Sequence, residues 1–213
     1  MLIDETKQQK GQLVGMYCEG ELIVSLDSGL AAERGVKAGR EYSVGELRGL
    51  LAESQLRRAK TKALRLLNYR DYSRRDIAAK LRQDFDEQTV SAVVEYLDET
   101  GASDDTRYAE NMIRHLTDRK RYGRRRIIQE LAAKGIDRET AESLLEKSGP
   151  DEPAAIAGLL RGKFRSSLGD SGGIRRTIAT LQRYGYEMSD IMSALRDYAE
   201  SEDKSDDNYS NYE

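Results

Sequence analysis

The period of the apolar positions changes near residue 43. Before it, two short β-capable runs, Gln-Leu-Val-Gly-Met-Tyr-Cys and Glu-Leu-Ile-Val-Ser-Leu, flank Glu19-Gly20. Two such runs around a two-residue, glycine-containing turn predict a β-hairpin. A lone hairpin is marginal in water and needs a further strand or a packing partner. Arg40–Tyr42 is the candidate third strand. Residues 28–34 read as a short helix ending at Gly35, and the polar first eleven residues are expected to fray. From Ser43 onward the pattern is helical. Ser43 and Glu46 form a capping box, and Leu47, Leu50, Leu51, Leu56, Ala63, Leu64 and Leu67 carry the helix as far as Tyr69.

Beyond that helix the chain repeats itself. Ser73-Arg-Arg-Asp-Ile-Ala-Ala-Lys-Leu81, Gly123-Arg-Arg-Arg-Ile-Ile-Gln-Glu-Leu131 and Gly173-Ile-Arg-Arg-Thr-Ile-Ala-Thr-Leu181 start 50 residues apart. A buried-type side chain follows each (Phe85, Ile136, Tyr186), and then a further amphipathic helix opens. A longer helix precedes each pair, over 44–69, about 104–120 and about 152–165, with Pro153 in the first turn of the last. Asp86 and Asp137 stand where helices should start, and Gly101 and Gly135 where they should stop. The predicted fold is mainly α, three tandem three-helix repeats in an elongated curved array with a small N-terminal β-hairpin-containing extension. The segments are 1–43 (extension), 44–101, 102–149 and 150–198 (repeats), and 199–213 (a disordered acidic tail). Each repeat reads as too small to bury a core alone, so neighbours are expected to stack. Residues 166–173 read as a flexible loop.

Composition removes several function classes. One cysteine, Cys18, and one histidine, His115, exclude an internal disulfide and argue against a zinc site. Cys18 is expected to be buried in its strand and His115 to be structural. No cofactor is called for. No apolar run is long enough to span a membrane and no signal peptide is evident, so the expected compartment is the cytoplasm. No Walker A loop, Ser–His–Asp set or Gly-x-Gly-x-x-Gly string occurs, so an enzyme is the weakest class. Asp104 and Asp105 could suggest acid–base or metal chemistry, but their place before a helix favours capping.

Charge points to binding instead. The net charge of −3 hides an asymmetry. Residues 57–82 hold ten basic side chains against Asp71 and Asp76, and residues 114–126 hold seven against Asp118. The tail holds six acids against Lys204. Clusters of one sign suit polyanionic partners. Arg58, Lys62 and Arg65 share a helix face at i, i+4, i+7, and a solvated helix surface is the plainer alternative for them. Arg119-Lys120-Arg121 and Arg124-Arg125-Arg126 straddle a helix junction. Cations in a first helical turn oppose the helix dipole, which suggests another use for the second triplet. Tyr108, Tyr122 and Tyr184 could stack on bases, although packing at a seam is the simpler reading.

The middle repeat carries a specific string: Asp104-Asp105-Thr-Arg107-Tyr108-Ala109, then Ile113-Arg114, then Tyr122-Gly123-Arg-Arg-Arg126-Ile127-Ile-Gln-Glu130-Leu131-Ala-Ala-Lys134-Gly135-Ile136. It resembles the RecX family of regulators of the RecA recombinase. The first repeat resembles it too, through Ala63-Leu64-Arg65-Leu66-Leu67, Arg70, Ser73-Arg74 and Leu81, and the third more loosely. The resemblance spans about residues 57–198. It implies a monomeric protein lying in the groove of the RecA–single-stranded DNA filament and modulating it, usually by inhibition, so that strand exchange, ATP hydrolysis and coprotease activity fall. Asp105, Tyr108, Gly123, Ile127, Leu131, Gly135 and Ile136 would then be structural positions of the family motif. Arg58, Lys62, Arg65, Arg70, Arg74, Arg114, Arg119, Lys120, Arg121, Arg124, Arg125, Arg126 and Lys134 would meet RecA or DNA. The alternative is a helical module that binds DNA directly.

Overall fold

In a computed structural model the backbone is described over residues 1–209 and the side chains up to Ser201. The chain divides into two compact units, Met1–Asp104 and the residues from Asp105 onward.

The first unit opens with strands β1 (Leu2–Ile3), β2 (Glu5–Gln9), β3 (Leu13–Cys18) and β4 (Glu21–Asp27), then helix α1 (Ser28–Glu33) and strand β5 (Arg40–Glu41). The predicted hairpin is β3–β4, with Glu19 (φ 53°) and Gly20 (φ 79°) both left-handed at its turn. Those are the dihedrals whose twist matches antiparallel strands. The first eleven residues are not frayed. β2 pairs with β3 as the outer strand of a three-stranded sheet, and β1 pairs with β5. Arg40–Glu41 therefore forms a strand but is not the hairpin's third. Hydrogen bonding along an edge strand does not depend on apolar side chains, so a polar segment can pair once an anchor holds it. Ile3, fully buried, is that anchor. It packs with Met16, Val24, Leu26, Ala31, Tyr42 and Leu47. Cys18 is half-buried rather than buried, because it sits at the strand end beside the turn.

Helix α2 (Val44–Tyr69) begins at the full Ser43/Glu46 capping box. α3 (Arg74–Leu81) follows the Ser73 cap, and α4 (Glu87–Glu99) follows the Asp86 cap. Gly101 terminates α4 at φ 63°, where a side chain would be strained. Ala59, Ala63, Ile77, Leu81, Val90, Val93 and Leu97 form the centre of this repeat. The Ser54 hydroxyl accepts the Asp27 N–H at 2.7 Å and ties the sheet to α2.

The second unit holds two repeats. α5 (Asp105–His115) runs into a π-helical turn over Leu116–Lys120. α6 (Arg124–Ala133) and α7 (Arg138–Ser148) complete the middle repeat, the latter capped by Asp137. The last repeat comprises α8 (Glu152–Arg161), α9 (Ser171–Arg183) and α10 (Met188–Tyr209). Asp151 caps α8, with Pro153 in its first turn as expected.

Two expectations change here. α9 starts at Ser171 rather than Gly173, because the Asp170 carboxylate caps it by accepting the Gly173 N–H at 2.8 Å. Residues 166–173 are accordingly a short 3-10 turn (Arg165–Ser167) leading into a helix, not an open loop. α10 is Met188–Tyr209, with no Gly or Pro to interrupt it, and overlaps the predicted tail 199–213. Residues 210–213 of that predicted tail lie outside the described residues. Each repeat has an apolar cluster of its own, and the middle and last repeats also pack on one another. A fully buried Ile and Leu on each of α3 and α6 stand at the centre of the first two clusters.

Candidate partner-binding face

The strongest candidate surface lies where α5 ends and α6 begins. The π-helical turn widens the end of α5, and Arg121 then turns the chain in a left-handed conformation (φ 57°, ψ 42°). A non-glycine residue there costs on the order of 1 kcal/mol. Two hydrogen bonds hold it. The Tyr122 N–H donates to the Leu116 carbonyl at 3.1 Å, and the Tyr186 hydroxyl donates to the Arg121 carbonyl at 2.9 Å. Burial and the nearby Glu152 carboxylate push the Tyr186 phenol up to about 12, so it remains a donor at neutral pH.

Beneath this turn the middle and last repeats interlock through backbone. The Gly123 N–H donates to the Tyr184 carbonyl at 2.8 Å, and the Arg124 N–H to the Glu152 carboxylate at 2.6 Å. Gly123 has no room for a side chain: a Cβ would meet Glu152 at 2.7 Å and the Tyr186 ring at 2.8 Å. The Tyr122 and Tyr184 rings pack 5.7 Å apart, which is the seam role rather than a base-stacking one. Lys163 donates to the Tyr184 hydroxyl at 2.6 Å.

The interlock divides the basic run. Arg125 is ion-paired with Glu187. Arg126 pairs with Glu130 at 2.6 Å and lies 5.7 Å from the Tyr122 ring. Arg124 is half-buried and uses its backbone at the junction. Arg119, Lys120 and Arg121 are all exposed, and none has an acidic partner among the described residues. Arg114 is likewise exposed in the last turn of α5. Three consecutive cations on a rigid turn thus project to solvent, while the triplet after them is engaged in holding the seam.

In the first repeat the predicted cations also separate. Lys62 donates to the Lys80 carbonyl at 2.8 Å and to Asp84 at 2.5 Å, and Arg74 pairs with Asp98 at 2.9 Å. Arg70 lies 4.5 Å from the Tyr72 ring. Arg58 lies 5.8 Å from the Phe85 ring. Arg58, Lys62 and Arg65 do line one groove of about 600 Å³, together with Arg57, Asp84 and Phe85. Two acids, Asp27 and Asp84, sit in that groove and lower its positive charge. Lys134 is half-buried at the end of α6, apart from the exposed triplet.

The motif positions take structural places. Asp105 opens α5, Gly123 precedes α6, and Gly135 ends it at φ 86°. Ile127 and Leu131 are fully buried and Ile136 nearly so, while Tyr108 is half-buried on α5. Glu152 and Gly185 are not among the positions expected from the sequence pattern, and Tyr186, expected as a buried-type side chain, also holds the Arg121 carbonyl. The string Tyr184-Gly185-Tyr186 parallels Lys134-Gly135-Ile136, and that parallel was the available signal.

Two variants probe the turn. Arg121→Gly keeps the left-handed backbone and removes the charge, so the urea midpoint should stay within about 1 kcal/mol of the parent while partner binding weakens. Glu152 is held above the usual carboxylate range, chiefly by burial and then by Asp190 and Glu187, against the hydrogen bond from Arg124. A carboxyl whose folded value is raised favours the fold while both states are protonated, and becomes a cost as pH rises past the unfolded value. Glu152→Gln keeps the acceptor and should be as stable as the parent or more so at pH 7. Unfolding midpoints at pH 7 and pH 4 check this, the advantage disappearing at the lower pH.

Tandem three-helix domains, each with its own apolar cluster, and an exposed basic turn define a helical-repeat protein. Among the described residues no helix is long and apolar enough to cross a membrane. Residues 59–97 match the first three-helix domain of RecX and residues 104–145 the second. The regulatory protein RecX of Prosthecochloris aestuarii is 30% identical over 147 residues, covering 68% of this chain and 96% of that protein. That of Clostridioides difficile is 27% identical over 152 residues, covering 70% and 72%. A crystal structure of a regulatory protein RecX aligns over 92% of this chain and 98% of its own, with a TM-score of 0.67 at 20% identity. RecX from Lactobacillus salivarius aligns over 67% and 96%, with a TM-score of 0.60 at 22% identity. The chain belongs to the RecX family, a family of regulatory proteins.

Proposed function

We propose that this chain regulates a RecA recombinase by binding along the RecA–single-stranded DNA filament, lowering its ATPase, strand-exchange and coprotease activities in DNA repair, recombination and the SOS response. The observation that carries the reading is the exposed Arg119-Lys120-Arg121 turn, rigidly mounted on the seam between two repeats of a regulatory family. A fixed array of cations suits an acidic groove because little side-chain order remains to be lost on binding. Arg114 extends the patch, and Arg58 and Arg65 offer a second one on the other unit.

Direct DNA binding is the competing reading, and the basic clusters favour it. The net charge of −3 works against it, since non-specific affinity for a phosphate backbone rises with cations. A labelled single-stranded oligonucleotide, titrated with and without a cognate RecA and ATP, separates the two. The proposal expects weak, salt-steep binding to bare DNA and much tighter binding to the coated strand. Equal affinity for both would favour the DNA module.

A further inference from the structure

The last repeat has an apolar groove that its own packing leaves open. Leu168, Ile174, Ile178, Leu195 and Tyr198 line it half-buried, and Met192 is 47% exposed within it. It encloses about 600 Å³. Arg165 and Arg196 complete the lining, both exposed and neither in an ion pair among the described residues. An occupant must therefore bring a bulky apolar or aromatic side chain flanked by negative charge. Bare apolar surface of this kind, edged by polar groups, marks an interaction site more often than an idle one.

The chain's own C-terminal segment has that chemistry. Tyr209 and Tyr212 stand among Asp206, Asp207 and Glu213. We propose that the groove receives this acidic, tyrosine-bearing segment from a second copy of the chain. The same copy cannot supply it. α10 lines the groove as far as Ala199 and then continues as helix to Tyr209, about 15 Å further on at 1.5 Å per residue. That helix carries Tyr209 away from the groove of its own chain. The segment and the groove thus belong to different molecules.

The contact is heterologous, the groove of one copy holding the end of the next. Such contacts need not close on themselves and can string copies together. This departs from the monomer expected from the sequence. A single short segment binds weakly, so the association strengthens where copies are already held side by side. Self-association through this groove requires no RecA.

The test uses a fluorescein-labelled peptide of residues 202–213 titrated against the full chain, with sedimentation equilibrium of the full chain alone. The expected results are saturable binding that weakens with salt, and a weight-average mass that rises with concentration. Met192→Asp and Arg196→Glu, both at exposed positions, should each weaken the peptide about tenfold. Tyr209→Ser with Tyr212→Ser in the full chain should abolish the rise in mass. Peptide binding indifferent to both groove variants, no saturable binding, or a strictly monomeric chain at millimolar concentration would each overturn the proposal.

Discussion

Gly185→Ala unfolds the second unit at a markedly lower urea concentration, a loss of about 2–4 kcal/mol. Gly185 sits at φ +93°, a conformation that alanine adopts only under strain. A Cβ there would also run into the backbone nitrogen and Cβ of Arg126. Backbone cannot swing aside as a long side chain does, so the last repeat must shift relative to α6. The shift strains the Gly123–Tyr184 hydrogen bond and the Tyr186 hydroxyl bond to Arg121. Equilibrium urea unfolding followed by circular dichroism measures the loss. A stability within about 0.5 kcal/mol of the parent, the range of an innocuous surface change, would mean the seam is not a rigid mount.

The second large effect is on binding. Replacing Arg119, Lys120 and Arg121 together by Glu leaves the fold intact, because all three side chains are exposed. It reverses the charge of the one basic triplet with no acid partner among the described residues. Reversal turns attraction into repulsion at three adjacent positions, and binding to a RecA-coated strand should fall by about a hundredfold or more, equivalent to about 3 kcal/mol. Arg126→Ala is the matched control. It removes the Glu130 pair and the Tyr122 contact, so it should cost some stability and little binding. The reverse ranking would place the functional charge on the seam.

Much of the fold could be read from the chain because its signals are local. The Ser43/Glu46 box, the Asp86 and Asp137 caps and the Gly101 and Gly135 stops each act within a few residues, and each sits where the periodicity placed it. What escaped depends on distant partners. The polar strand Glu5–Gln9 exists because β3 offers it an edge, and no apolar alternation announces that. The start of α9 turned on Asp170, a nearer cap than the glycine suggested by the 50-residue period.

The site divides in the same way. The basic run was visible as composition, and the Arg126–Glu130 pair could be inferred from i, i+4 spacing. That Arg125 is taken up by Glu187, and that Tyr186 props the Arg121 carbonyl, requires the last repeat to be folded against the middle one. Only that packing distinguishes the cations left for a partner from those that hold the structure. In the first repeat the same logic removes Lys62 and Arg74 from the set of unengaged cations.

Regulation of RecA through the Arg119–Arg121 turn is decided by an ATPase titration. A cognate RecA on single-stranded DNA is titrated with the parent chain and with the triple Glu variant, to saturation. The parent should lower ATP hydrolysis at or below one chain per RecA, and the variant should need a far higher concentration to do so. Unchanged hydrolysis at saturating parent protein, or equal potency of parent and variant, would contradict it.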